Sequence, residues 1–370
     1  MRNMIMNRFW RMAALLIVLA MLAAIPSAYS MAEDEEEPIT YAEPHHIIID
    51  TDTAGDDALA MILAGIAENI KIEGVTVLAG NVNIDQAVQN ALMTLEVIDR
   101  TDVPVYKGAS TTYNGVERTC FSVFGSDGMG DADLIHPTGK AQEQPAVDFI
   151  IDAVKKYPEE IEIVMIGPAT NIALAMEKDP ETMSHVKRIW SMGTSGFGEG
   201  NATPVAEFNV YHDAEAYDIV LRSGVPMTII GLDMCETETM LCTPEEMEVL
   251  AQNSATGRFI TTSWRKLLEF REEKNSQYNV DLCDAVAMSC LIIDGIMQEI
   301  RQCAAVCMTK DDETHGQVIF YRKDKGYDSM PQISEEDYNI TVVNKMDESK
   351  YSQMKVLLES FKEDTTDQTA

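Results

Sequence analysis

From residue 45 onward the chain alternates between two hydrophobic rhythms. Short unbroken apolar runs have the length and β-branched content of strands: "HIIID" (46–50), "IEGVTVLAG" (72–80), "IEIVMIG" (161–167), "RIWSMG" (188–193) and "MTIIGLD" (227–233). Between them, apolar residues recur every three or four positions in "DDALAMILAGIAENI", "IDQAVQNALMTLEVID", "AVDFIIDAVKKY" and "HDAEAYDIVLRS", the spacing of amphipathic helices. Continuous apolar strands separated by helices predict an α/β fold, an open, mostly parallel twisted sheet with helices on both faces. No internal repeat or linker divides the chain, so a single domain is expected. Polar clusters stand where several strands end: "DTDTAGDD" (50–57), "AGN" (79–81), "GPATN" (167–171) and "MGTSGFGEGN" (192–201). Open α/β sheets bind ligands outside the carboxyl ends of their strands, so these segments predict one crevice.

The ends of the chain read differently. Arg2, Arg8 and Arg11 precede the apolar run "AALLIVLAMLAAI" and then "PSAYS", with small residues Ala28 and Ser30 at cleavage spacing. Residues 1–30 therefore read as a secretory signal peptide, too short in their apolar part for a comfortable membrane span. Residues 31–44 form an acidic leader, 45–362 the folded domain and 363–370 a polar tail. The expectation is an exported protein, periplasmic, cell-surface or extracellular, with no stable membrane anchor after cleavage. With 28 Lys+Arg against 61 Asp+Glu, a net charge of −33 argues against nucleic acid or anionic lipid as partner and favours counter-cations. The seven cysteines lie mostly in apolar stretches such as "CAAVCM" and read as buried thiols, with no bridge assigned.

Within "IIIDTDTAGDDALA" (47–60), Asp50 and Asp52 alternate at a strand end and so point the same way. Asp56 and Asp57 fall in the first helical turn, where the helix dipole favours each by only about 0.3–1 kcal/mol. Asp56 alone would read as a helix cap. Four carboxylates together are better satisfied by a cation, and an all-oxygen set selects a hard ion, calcium or magnesium. An EF-hand is excluded by Ala54 and Met61 at ligand positions. Ala54 also stands where a strand–DxD phosphatase needs a hydroxyl, and "DTA" occurs without the second element of an aspartic protease.

The motif resembles the N-terminal metal signature of the inosine–uridine-preferring nucleoside hydrolase family. "VTVLAGN" (75–81), "IGPATNIALAM" (166–176), "GNATPVAEFNVYHDAEA" (200–216), "NVDLCDAVA" (279–287) and "NITVVNKMDESKYSQMKVLLESF" (339–361) resemble further family segments, in the family's order. The resemblance implies calcium-dependent cleavage of the N-glycosidic bond of nucleosides to ribose and free base. It implies that Asp52, Asp57, Asp284 and the Thr170 carbonyl hold Ca2+. Asp56, Asn81, Asn201, Glu207 and Asn209 would bind the ribose. Asp52 would be the general base, with Asp50 supporting the ligands from behind. It further implies a nucleoside as substrate and a homo-oligomer, dimer or tetramer. Nearby carboxylates would stabilise the oxocarbenium character that develops on the ribose.

Two positions depart from the family pattern. Cys283 precedes the last metal aspartate, where a histidine is usual, and resembles a cysteine-containing subgroup. Phe124 stands where another family histidine precedes a "GxDGLG" stretch, here "FGSDGMG". The usual imidazole acid for the departing base is thus missing. Cys283, Phe124, Trp264 and Tyr278 are candidates to replace it, by weak acidity, by stacking or through water. The departures also raise an alternative, a non-catalytic exported nucleoside- or ribose-binding protein that keeps the metal site. His45 and His46, at a strand start, read as structural. The triplets at Asn201 and Asn339 match the glycosylation pattern, and a glycan on Asn201 would block the crevice.

Overall fold

The computed structural model describes residues 39–118, 122–134, 136–237, 240–275, 279–326 and 333–359. The expected signal peptide, most of the acidic leader and the polar tail lie outside the described residues, as does Tyr278. In chain order the elements begin β1 (His45–Thr51), α1 (Gly55–Ile66), β2 (Ile70–Val77), α2 (Ile84–Val97) and β3 (Val105–Lys107). After a 3-10 turn at Ser122–Phe124 come α3 (Ala146–Lys156), β4 (Ile161–Met165), α4 (Thr170–Lys178), α5 (Pro180–Met183) and β5 (Arg188–Met192). Next are α6 (Phe208–His212), α7 (Ala214–Leu221), β6 (Met227–Ile230), α8 (Leu232–Cys235), α9 (Pro244–Asn253), α10 (Ala255–Ser263) and α11 (Arg265–Asn275). The remainder is α12 (Cys283–Ile292), β7 (Met297–Cys307), β8 (Val318–Arg322), β9 (Ile340–Met346) and α13 (Glu348–Glu359).

The strands form one sheet in the order β3-β2-β1-β4-β5-β6-β9-β7-β8. From β3 to β9 every pairing is parallel, and β7 then pairs antiparallel with both β9 and β8. Both faces are covered, which explains the unbroken apolar runs: Ile47 and Ile49 pack into one core, with α1, α2 and α12, while Ile48 packs into the other, with α3, α4 and α7. Every residue of α12 is buried, so this helix has no polar face and sits inside the first core, against α1.

Strand order reverses beside β1. The chain runs outward through β2 and β3, then returns to lay β4 on the other flank of β1. The carboxyl ends of β1 and β4 therefore flank the topological switch point, where such sheets open a crevice. The α/β reading holds. Three strands were absent from it: β3 is only three residues long, and β7 and β8 are half-exposed antiparallel strands whose mixed polarity carries no unbroken run.

At the opposite, N-terminal end of the strands, the buried Glu162 carboxylate binds three donors. His45 Nδ1 lies 2.9 Å and Lys187 Nζ 2.8 Å from its Oε1, and Trp190 Nε1 donates to Oε2 at 2.6 Å. His45 thus ties β1 to β4, and His46 pairs with Glu73 of β2; both are structural, as expected.

Candidate active site

β1 delivers Asp50 and Asp52 in alternation, and α1 begins so soon afterwards that Asp56 and Asp57 occupy its first turn. Asp57 is fixed twice, accepting from Thr51 Oγ1 at 2.6 Å and from the Ala54 amide at 2.9 Å. α12 brings Asp284 to the same place from across the chain. Single carboxylate oxygens of Asp56, Asp57 and Asp284 lie within 4.8 Å of one another.

Asp52 is fully buried beside this group. The Asn81 amide donates to its Oδ2 at 2.5 Å, while its Oδ1 has no partner among the described residues. Two glycines make room for it. A Cβ at Gly80 would lie 2.0 Å from Asp52 Oδ2, and one at Gly167 would lie 2.9 Å from its Oδ1. Asp50 sits behind, accepting from Thr76 Oγ1 at 2.5 Å and Asn171 Nδ2 at 2.8 Å. Thr170 opens α4 after β4, buried, with its hydroxyl donating to Asp213 at 2.6 Å.

The electrostatics are dominated by burial and by mutual repulsion of the carboxylates. Burial first, and the neighbouring Asp56 and Glu207 charges after it, push Asp52 up to about 7 despite the Asn81 amide. Asp56 rises to about 8 through burial and then the charge of Asp57. Asp57 and Asp284 are raised well above the usual carboxylate range by burial and then by the other aspartates. Asp52 Oδ1 and Asp56 Oδ1 are buried without a donor. Two buried carboxylate oxygens with no donor among the described residues, close to the Asp57 and Asp284 carboxyls, fit a hard divalent cation.

Beside the cluster opens a cavity of about 600 Å³, within the range of small-molecule sites. Of the residues expected from sequence, Asp56, Asn81, Phe124, Asn201, Glu207, Asn209, Cys283 and Asp284 line it. Asp50, Asp52, Asp57 and Thr170 are buried away from its wall. Glu207 caps α6, accepting from the Asn209 and Val210 amides, and burial nevertheless raises it to about 7. Asn209 Nδ2 donates to the Ile166 carbonyl at 3.1 Å, and Asn201 Oδ1 accepts from the Phe208 amide at 2.9 Å. Thr194, two residues beyond β5, holds a φ of 72°, strained for a β-branched residue, and its amide donates to Glu207.

Trp264 falls elsewhere. Its indole is fully buried and donates to the Gly55 carbonyl at 3.1 Å, so it packs beneath the start of α1 and lies off the cavity wall. Cys283 does face the cavity, but a hydrogen bond with the Cys235 thiol, burial and the nearby Asp56 and Asp284 charges push its thiol well above the usual range. The six described cysteines, Cys235, Cys242, Cys283, Cys290, Cys303 and Cys307, are free. Sequence reasoning missed Leu267, Phe270, Arg271 and Asp281 on the wall. "LLEFREEKN" reads as a charged, solvated helix face, and only the shared helical face of Leu267, Phe270 and Arg271 hinted otherwise.

The family model of the inosine-uridine preferring nucleoside hydrolases matches residues 47–353, a span that runs from the first strand into the last helix and includes every carboxylate of the cluster. The chain belongs to this family. Among curated relatives, the probable uridine nucleosidase 1 of Oryza sativa subsp. japonica is 34% identical over 66% of this chain and 76% of its own. The non-specific ribonucleoside hydrolase RihC of Escherichia fergusonii is 33% identical over 74% of this chain and 87% of its own. Among solved structures, the plant nucleoside hydrolase PpNRh1 superposes with a TM-score of 0.77 at 28% identity, covering 85% of this chain and 98% of the other. In this nucleoside hydrolase family member the cavity wall combines carboxylates and amides with the aromatic rings of Phe124, Phe208 and Phe270.

Proposed function

We propose that the protein is an exported, calcium-dependent ribonucleoside hydrolase that cleaves the N-glycosidic bond with water. The observation that carries this reading is the cluster of buried Asp52, Asp57 and Asp284 with part-buried Asp56, beside a nucleoside-sized cavity. Asp52, Asp57 and Asp284, with the Thr170 carbonyl, would hold the ion. Bound there, calcium supplies the positive charge the carboxylates lack and makes water a better nucleophile at neutral pH. Asp56, Asn81, Asn201, Glu207 and Asn209 bind the ribose hydroxyls. Three of these side chains carry polar contacts from the fold and are pre-set before substrate enters, Glu207 and Asn209 through α6 and Asn201 through the Phe208 amide, while the Asn81 backbone is tied to Asp52. Asp52 takes the proton of the attacking water at Oδ1, the oxygen left without a donor. The carboxylates then face the positive charge that grows on the sugar as the bond to the base lengthens.

Export rests on residues 1–30, and a homo-oligomer on the family resemblance; both belong to the proposal. The test is product analysis on inosine, uridine, adenosine, 2′-deoxyinosine and a phosphomonoester. Ribose and free base from the ribonucleosides are expected, with 2′-deoxyinosine much poorer because a hydroxyl held by the site is missing. Equal rates on inosine and 2′-deoxyinosine would contradict the ribose assignment. Phosphate release in place of sugar would overturn the reading.

A further inference from the structure

The wall of the cavity is unlike the acidic cluster on the side that α11 supplies. Leu267, Phe270 and Arg271 share one face of that helix, which packs against the Ser122–Phe124 turn carrying Val123 and Phe124. Phe270, a large aromatic, is 38% exposed on this wall and adds an aromatic surface to it. Among the described residues on the wall, Arg271 is the one basic side chain, against the carboxyls of Asp56, Glu207, Glu236, Asp281 and Asp284. Its guanidinium pairs with Asp281 Oδ2 from the segment before α12, and both side chains are largely buried, at 19% and 11% exposure. One cation is therefore held at a fixed place on the aromatic side of an otherwise acidic cavity.

Resting on the hydrolase reading above, we infer that Arg271 is the electrophilic residue for the departing base and sets which bases leave well. A guanidinium is donor-only and always charged, so it cannot be a proton source, but it stabilises negative charge through two parallel N–H bonds. The carbonyl oxygen and ring nitrogen of a 6-oxopurine present two adjacent acceptors, the pattern a guanidinium fork matches. In the reaction the C1′–N bond breaks and its electron pair moves onto the base, with the charge spread to the oxygen facing Arg271. The water oxygen bonds to C1′ and gives one proton to Asp52. The base anion takes a proton from solvent on release and Asp52 gives its proton back to solvent, so the sum is nucleoside plus water to ribose plus neutral base. Adenine turns an amino donor toward the same guanidinium and is the poorer leaving group here. Arg271 thereby does electrostatically what an imidazole at position 124 or 283 would do by protonation.

The test compares inosine, adenosine and p-nitrophenyl β-D-ribofuranoside, whose leaving group needs no help, on the full chain and on Arg271→Met and Arg271→Lys. Arg271→Met is expected to lose about 100- to 1,000-fold in kcat on inosine, to lose most of the preference for inosine over adenosine, and to keep its turnover of the nitrophenyl riboside. Arg271→Lys, with charge but no fork, should recover only part of the inosine rate. Equal losses on inosine and the nitrophenyl riboside would show that the Arg271–Asp281 pair merely holds the fold, and would overturn the inference. Undiminished inosine turnover in Arg271→Met would overturn it as well. If the unaltered protein cleaves neither the nucleosides nor the nitrophenyl riboside, the hydrolase reading itself fails and the inference with it.

Discussion

Asp284 shows what the site costs the fold. It is buried beside Asp56 and Asp57, with like charge on its neighbours and, among the described residues, no basic partner at the cluster. Its ligand role and its stability effect should therefore have opposite signs. In chelator, Asp284→Asn is expected to raise stability by about 1–2 kcal/mol, because one mutually repelling, desolvated carboxyl is gone. With calcium the order should reverse. The unaltered protein gains about 2.7 kcal/mol at roughly a hundredfold excess of ion over Kd, and Asp284→Asn gains little. Calorimetric unfolding with and without calcium reads both numbers. A variant that keeps the full calcium response would remove Asp284 from the ion's shell. Much of the cluster was legible in the sequence, because four aspartates after a buried strand have few structural uses. Arg271 was not. Its neighbours in "EFREEKN" are those of any solvated helix, and which face looks into the cavity is decided by packing against Phe124, far away in the chain.

At the scale of elements, the sheet separates function from stability. Carboxyl ends of the strands carry the site, while near the amino ends Glu162 joins β1, β4 and β5 through His45, Lys187 and Trp190. Burial alone would raise this carboxyl, but the hydrogen bonds from His45, Lys187 and Trp190 outweigh it and hold it at about 2. Because the folded value lies below the unfolded one, its contribution is complete above the ordinary glutamate range and is lost as pH falls toward 2. Glu162→Gln should cost about 1–3 kcal/mol at neutral pH and flatten the acid limb of stability below 4.5. Urea unfolding from pH 7 to 3 would show this, and parallel acid limbs for the two proteins would contradict it. The same elements show where pattern reading works. β1 and β4 are buried on both faces, so their apolar runs are unbroken and their ends could be placed within a residue or two. β7 and β8 close the sheet as antiparallel, half-exposed strands; their side chains answer to local cover, and no single period records them.

For the molecule as a whole, the net charge of −33 and the switch point between β1 and β4 act together. An acidic surface repels phosphates and nucleic acid and concentrates cations, while a neutral nucleoside is indifferent to it. The fold then gathers its most buried carboxylates where strand order reverses, beside a cavity with one guanidinium on its wall among the described residues. Family membership assigns the reaction class, and the central claim is that this cluster performs it with calcium. The measurement that tests the claim most directly is ribose release from inosine as free calcium is titrated from chelator upward, for the unaltered protein and Asp52→Ala. Turnover should saturate with calcium and fall by at least about 1,000-fold in Asp52→Ala. Turnover that is unchanged in chelator, or retained by Asp52→Ala, would contradict it.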